Sequence, residues 1–204
     1  MKIIAFVGMP ASGKSEASRI AAQMGIPVVN MGDVIRKEVL RRGFEPNDSN
    51  TGMVATDLRK CEGMGAVARR CVSQIKETGS ELVVVDGVRG IAEVECFRRE
   101  FGRGFVLISI YAPIEIRFSR VQKRGRSDDM NTIEGLRNRD ERELSWGTGE
   151  AIEVSNVEIE NSFTLDTFKK DVVDVLSNYS SLDSAHSSED QIRKNNSSER
   201  DSIE

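Results

Sequence analysis

Apolar and polar positions along the chain switch repeatedly between a short-run and a helical period. Lys2–Val7 is a β-rich apolar run that passes directly into a glycine-rich segment. From Glu16 to Met24 the apolar spacing turns helical, and Gly25 stops it. Ile26 to Val29 predicts a second strand, and Gly32-Asp33 opens an amphipathic stretch ending in Arg41-Arg42-Gly43. Phe44 to Thr56 is polar, with the composition of turns. Leu58 to Thr78 reads as helix broken at Gly63 and Gly65. Glu81 to Asp86 is almost entirely aliphatic, as expected of a strand covered on both faces. Ile91–Phe101 is again helical, Phe105–Tyr111 is a strand, and Pro113 leads into a helix over Ile114–Arg124. A charged stretch, Gly125 to Glu143, precedes a half-polar strand at Val157–Glu160 and a closing helix from Leu165 to Leu176. Strands alternating with helices predict an α/β protein, a three-layer αβα sandwich around a five-stranded parallel sheet.

Composition narrows the picture. After Ser177 the chain is Ser-rich, charged and poor in apolar residues, so residues 177–204 read as a disordered tail on a single domain, 1–176. The 204 residues carry 29 Lys+Arg against 33 Asp+Glu, and a net charge of −4 gives no general argument for nucleic acid or an anionic membrane as partner. Cys61, Cys71 and Cys96 are odd in number and lack CxxC spacing, which speaks against a disulfide framework or a zinc site and for a cytoplasmic protein with free thiols. No apolar run approaches the roughly 18 residues of a membrane span, and the short run at the start reads as a strand rather than a leader.

The chemistry begins at Gly8-Met9-Pro10-Ala11-Ser12-Gly13-Lys14-Ser15, which fits G-x-x-x-x-G-K-S between a strand and a helix. In that setting consecutive backbone N–H groups converge on phosphate oxygens, and the helix adds its positive end. Lys14 is expected at the β- and γ-phosphates of ATP and the Ser15 hydroxyl on Mg²⁺. Ligands of such sheets collect at the carboxyl ends of the strands, so Asp86 is expected on the metal side.

What faces the ATP is read from the arginines. Asp33 and Arg36 share one helix face, and Arg89 follows Asp86 closely. Arg120 and Arg124 stand four apart, and Arg126, Asp128 and Asp129 are followed by Arg137, Arg139 and Arg142. Phosphoryl transfer needs positioned cations around the moving charge. A near side (Arg36, Arg89) and a far side (from Arg120 onward) supply them, although Arg137 to Glu143 taken alone also reads as a solvated helix face.

On these motifs the chain resembles the P-loop nucleoside monophosphate kinases, adenylate kinase in particular, and still more an archaeal branch of adenylate-kinase- and dephospho-CoA-kinase-like P-loop proteins. The resemblance covers Met1 to about Leu176. It implies a P-loop NTPase fold with a short helical lid at about residues 120–142. It also implies ATP on Gly8 to Ser15, with Asn161 in the turn that contacts adenine. Asp33 and Arg36 line the acceptor site, Arg89 corresponds to the arginine of a D-G-x-P-R element, and Arg120, Arg124, Arg126 and Arg137 close over the phosphates. Among the departures from that family, the proline before Arg89 is missing and its element is one residue shorter, no full lid insertion is present, and Glu143 to Glu150 (ELSWGTGE) has no counterpart. The resemblance implies an ATP-dependent kinase acting on a small phosphorylated acceptor. The alternatives are a hydroxyl acceptor, with Asp33 as base, and a P-loop ATPase or switch working through a protein partner. In the last case Trp146 is either a contact patch or a packed core residue.

Overall fold

A computed structural model describes residues 1–124 and 132–180, with backbone only for Asp48 and Arg124. The elements run β1 (Lys2–Val7), α1 (Lys14–Gln23), β2 (Val28–Asn30), α2 (Met31–Arg41), α3 (Asp48–Glu62), α4 (Ala66–Glu77), β3 (Leu82–Asp86) and α5 (Ile91–Phe101). They continue with β4 (Phe105–Tyr111), α6 (Ile114–Arg124), α7 (Ile133–Leu144), α8 (Thr148–Glu153), β5 (Val157–Glu160) and α9, residues 165–180. The five strands form one sheet in the order β2-β3-β1-β4-β5, every pair parallel.

Alternation along the strands builds the three layers. Ile3, Ala5, Val7, Val83, Val85 and Leu107 face a core closed by α2, α3, α4, α5 and α8. The alternate residues Ile4, Phe6, Val84, Ile108 and Ile110 face Ala17 and Ile20 of α1 and Phe168, Val172 and Leu176 of α9. A side-chain period of two, with both faces buried, is why β1, β3 and β4 read as nearly continuous apolar runs. The α/β sandwich with its five-stranded parallel sheet is thus as expected.

Three expectations shift. The polar stretch read as turn becomes α3 from Asp48 onward, because Asn47 is an N-cap whose side chain accepts from Asn50 N. Val54, Ala55 and Leu58 then bury against the core. Part of the charged stretch is α7, capped by Thr132 through the Gly135 amide. The closing helix runs four residues past Leu176, and Lys2 Nζ donates to the Tyr179 carbonyl at 3.1 Å. The remaining tail, 181–204, lies outside the described residues, as do Arg126, Asp128 and Asp129 of the expected lid. Among the described residues no helix is long and apolar enough to cross a membrane, and all three cysteines are free thiols.

Candidate active site

Parallel strands all end on the same side, so the loops after β1 and β3 meet there. Register places Phe6 of β1 opposite Asp86, and Asn30 of β2 opposite Asp86 from the other side. The loop from Gly8 to Gly13 therefore begins two residues past the level of Asp86. Gly8 has φ 151°, and a Cβ on it would lie 2.4 Å from the Ile110 carbonyl oxygen of β4. Gly8→Ala should cost about 2–3 kcal/mol of stability, seen in thermal unfolding, since strain and backbone overlap act together. A loss below about 1 kcal/mol would contradict this backbone placement.

Lys14 opens α1, whose N-cap Gly13 makes no side-chain cap bond, so the first amides of the helix have no intrahelical partner. Its ammonium donates to the carbonyls of Gly8 (2.6 Å) and Met9 (3.0 Å). Burial pushes it down from 10.5 to about 8; Glu143 and Asp86 pull it up, and Arg89 and Arg139 push it further down. Ser12 is 1% exposed, and its hydroxyl has no hydrogen-bond partner among the described residues. A buried orphan hydroxyl, uncapped amides and a desolvated ammonium around one loop fit a polyphosphate.

Asp86 is buried and accepts from Asn30 Nδ2 at 3.2 Å. Burial raises its pKa, Lys14, Arg89 and the Gly87 amide lower it, and Asp33 raises it. Asn30 also caps α2 by accepting from Gly32 N at 2.8 Å, so one side chain ties the Asp86 carboxylate to the helix bearing Asp33 and Arg36. Ser15 is exposed on the first turn of α1. Among the described residues no three His, Cys, Asp or Glu side chains could hold a metal together. A Mg²⁺ here would lean on Ser15 and Asp86 plus phosphate and water oxygens, the usual manner of that ion.

The other expected residues divide. Asp33 and Arg36 pair with each other at the solvent edge, Arg36 Nε donating at 3.0 Å. Arg89 donates from Nη1 to Glu143 at 2.6 Å. Arg120 reaches the loop itself: its Nη2 donates to the Asn161 carbonyl and side-chain oxygen, both at 2.8 Å, and its Nη1 to the Ser12 carbonyl. Asn161 is buried, and its Nδ2 donates to the Ser12 carbonyl at 2.8 Å, so the pair braces the loop. Arg137 lies exposed on α7 with Glu134, whereas Arg139 of the same helix acts on Lys14.

Sequence reasoning missed Arg117, which is buried, forms a bidentate pair with Asp140 at 2.9 and 2.7 Å and donates to the Pro10 carbonyl at 3.2 Å. It also missed Asn30, Glu143 and Thr148. The usable signal was Leu136, Asp140 and Glu143 at i, i+4 and i+7, the buried stripe of α7.

Residues 7–137 match a family model described as an AAA domain. A UPF0200 protein of Methanosarcina mazei is 87% identical over 183 residues, 90% of this chain and 98% of that one. The chain belongs to the UPF0200 family, and its core to the AAA-domain family. The P-loop, nucleotide-kinase-like family read from the motifs is thereby borne out, archaeal branch included. The fold of this UPF0200 chain is also that of solved kinases. Shikimate kinase from Acinetobacter baumannii superposes with TM-score 0.53 at 19% identity over 87% of this chain and 94% of that one. A gluconokinase from Sinorhizobium meliloti gives 0.53 at 17% identity, over 89% and 93%. At such identities the likeness is one of fold, that of the P-loop kinases.

Proposed function

We propose that this protein is a cytoplasmic Mg·ATP-dependent kinase that transfers the γ-phosphoryl group to a small phosphorylated acceptor such as a nucleoside monophosphate. The observation that carries the reading is the meeting of Lys14, Asp86 and Arg89 at the head of the loop Gly8–Gly13, with Asp33 and Arg36 on the adjoining helix. Lys14 compensates the charge that moves between donor and acceptor, and Arg89 faces the same phosphoryl group from the β3 side. Ser15 and Asp86 would hold a Mg²⁺ and order its water shell, and the ion would supply charge neutralisation for the phosphates. Arg36 binds the acceptor's own phosphate. That phosphate, with a second pKa of about 6, is ionised near neutrality and needs no base. A hydroxyl acceptor would instead use Asp33.

The test is incubation with Mg·ATP and a panel of nucleoside monophosphates, dephospho-CoA and shikimate. ADP formed in step with a phosphorylated acceptor supports the reading. ADP with free phosphate, independent of every acceptor, overturns it in favour of a nucleotide switch.

The buried ammonium gives a second, acceptor-free prediction. A polyphosphate at Lys14 raises its pKa above the free value of about 8. At pH 8.5, where the free ammonium is mostly neutral and ATP is fully ionised, binding should take up most of one proton. At pH 7 Lys14 is already charged and takes up almost none. Affinity should therefore fall as pH rises past 8. Calorimetry in buffers of different ionisation enthalpy measures the uptake, and no proton linkage at pH 8.5 would remove Lys14 from the phosphates.

A further inference from the structure

Two residues of the segment Glu143 to Glu150 bond Arg89 directly, and a third, Trp146, is linked to it through Arg59 and Glu93. Glu143, on the buried stripe of α7, accepts from the guanidinium at 2.6 Å. Thr148, buried at the start of α8, donates its hydroxyl to the Arg89 carbonyl at 2.6 Å. The Arg89 amide donates to Glu93 Oε2 at 2.8 Å, and Glu93 Oε1 accepts from Arg59 Nη2 at 3.0 Å. The Arg59 guanidinium in turn lies 6.0 Å from the centre of the Trp146 ring. Gly90 lets the strap lie directly on the residue after Arg89: a Cβ there would sit 2.3 Å from the Trp146 carbonyl oxygen.

Such fixing is unusual for this kind of residue. The Arg89 side chain is 43% exposed, and a half-exposed arginine ordinarily samples many rotamers, whose freedom a ligand must otherwise remove on binding. Here the backbone is held on both sides, and the guanidinium is anchored by a carboxylate only 8% exposed, from another helix. The ordering is therefore completed before any ligand arrives, the condition under which a cation serves developing charge best.

We infer that residues 143–150 are a strap that positions Arg89 for the terminal phosphoryl group of a nucleoside triphosphate. Glu143 and Thr148 are its positioning residues, and Trp146 supports them through Arg59 and Glu93. The inference rests on the phosphate cradle of the kinase reading and adds to it how Arg89 reaches its place without the family's proline.

Calorimetry at pH 6.5, where Lys14 stays charged throughout, compares Mg·ADP with the Mg²⁺ complex of the β,γ-imido analogue of ATP. Glu143→Met and Thr148→Val should each weaken the triphosphate analogue about tenfold, the scale of one charge-assisted hydrogen bond, and Mg·ADP less than about twofold. Glu143→Gln and Thr148→Ser, which keep the bonding atom, should stay within about threefold of the parent. Glu143→Met should add nothing in an Arg89→Ala background. Equal weakening of both nucleotides, no weakening, or additive loss with Arg89→Ala overturns the strap. If Glu143→Met does not fold, the near-isosteric Thr148 pair decides alone. Should the parent protein bind neither nucleotide, the cradle itself has failed, and the strap falls with it.

Discussion

Lys14→Ala should abolish phosphoryl transfer, by at least about a thousandfold in kcat, while the ligand-free protein melts within about 2–4 °C of the parent. The two halves have separate causes. The ammonium is buried, pushed down to about 8 by that burial, and donates to the carbonyls of Gly8 and Met9. Alanine forfeits two hydrogen bonds but also removes a desolvated charge, and these terms nearly cancel, to within about 1 kcal/mol. With a polyphosphate in place the same ammonium meets oxygens whose charge grows during transfer, and losing such a donor costs about 4 kcal/mol or more. Lys14→Arg should not rescue, because a planar fork does not occupy the site of a compact ammonium. Unchanged turnover, or a collapse of the melting temperature, would show that this lysine is a structural group.

Asp140→Ala should have the opposite signature, a large loss of stability. Arg117 and Asp140 are 7% and 12% exposed, and the guanidinium also serves the carbonyls of Ala112 and Pro10. Removing the carboxylate leaves a buried cation without its counter-ion, worth about 3–5 kcal/mol, or roughly 6–20 °C for a domain of this size. Because Pro10 belongs to the phosphate loop, nucleotide affinity should fall as well. The double change Arg117→Met with Asp140→Leu should recover much of the stability but not the affinity, since apolar replacements remove the unpaired charge and still cannot hold Pro10. A shift below 2 °C for Asp140→Ala would mean the pair is not buried in solution.

The site was legible to unequal degrees. The strand, glycine loop and helix around Gly8 to Ser15 could be read outright, since they follow one another within the sequence. Asp86 followed from its place at the end of an apolar run. The arginines were harder. Arg120 braces the Ser12 carbonyl, and on α7 Arg139 acts on Lys14 while Arg137 pairs with Glu134. Nothing in a run such as Arg-Asn-Arg-Asp-Glu-Arg-Glu marks which side faces inward. That depends on how the helix is turned by Leu136, whose burial carries Asp140 and Glu143 in with it. Similarly, Asn47 to Asn50 looked like a turn because capping residues and turn residues are the same types.

The sequence by itself determined what is contiguous: the strands and most helices through their apolar period, and the phosphate loop through glycines that leave room for backbone and anion. Tertiary structure decided what is paired. Arg117 meets Asp140 across 23 positions, Arg120 meets Asn161 across 41, and Arg89 meets Glu143 across 54. A charge entering a dry interior must find its partner there, and which partner is in reach follows from strand register and helix rotation, quantities fixed only when the whole core closes.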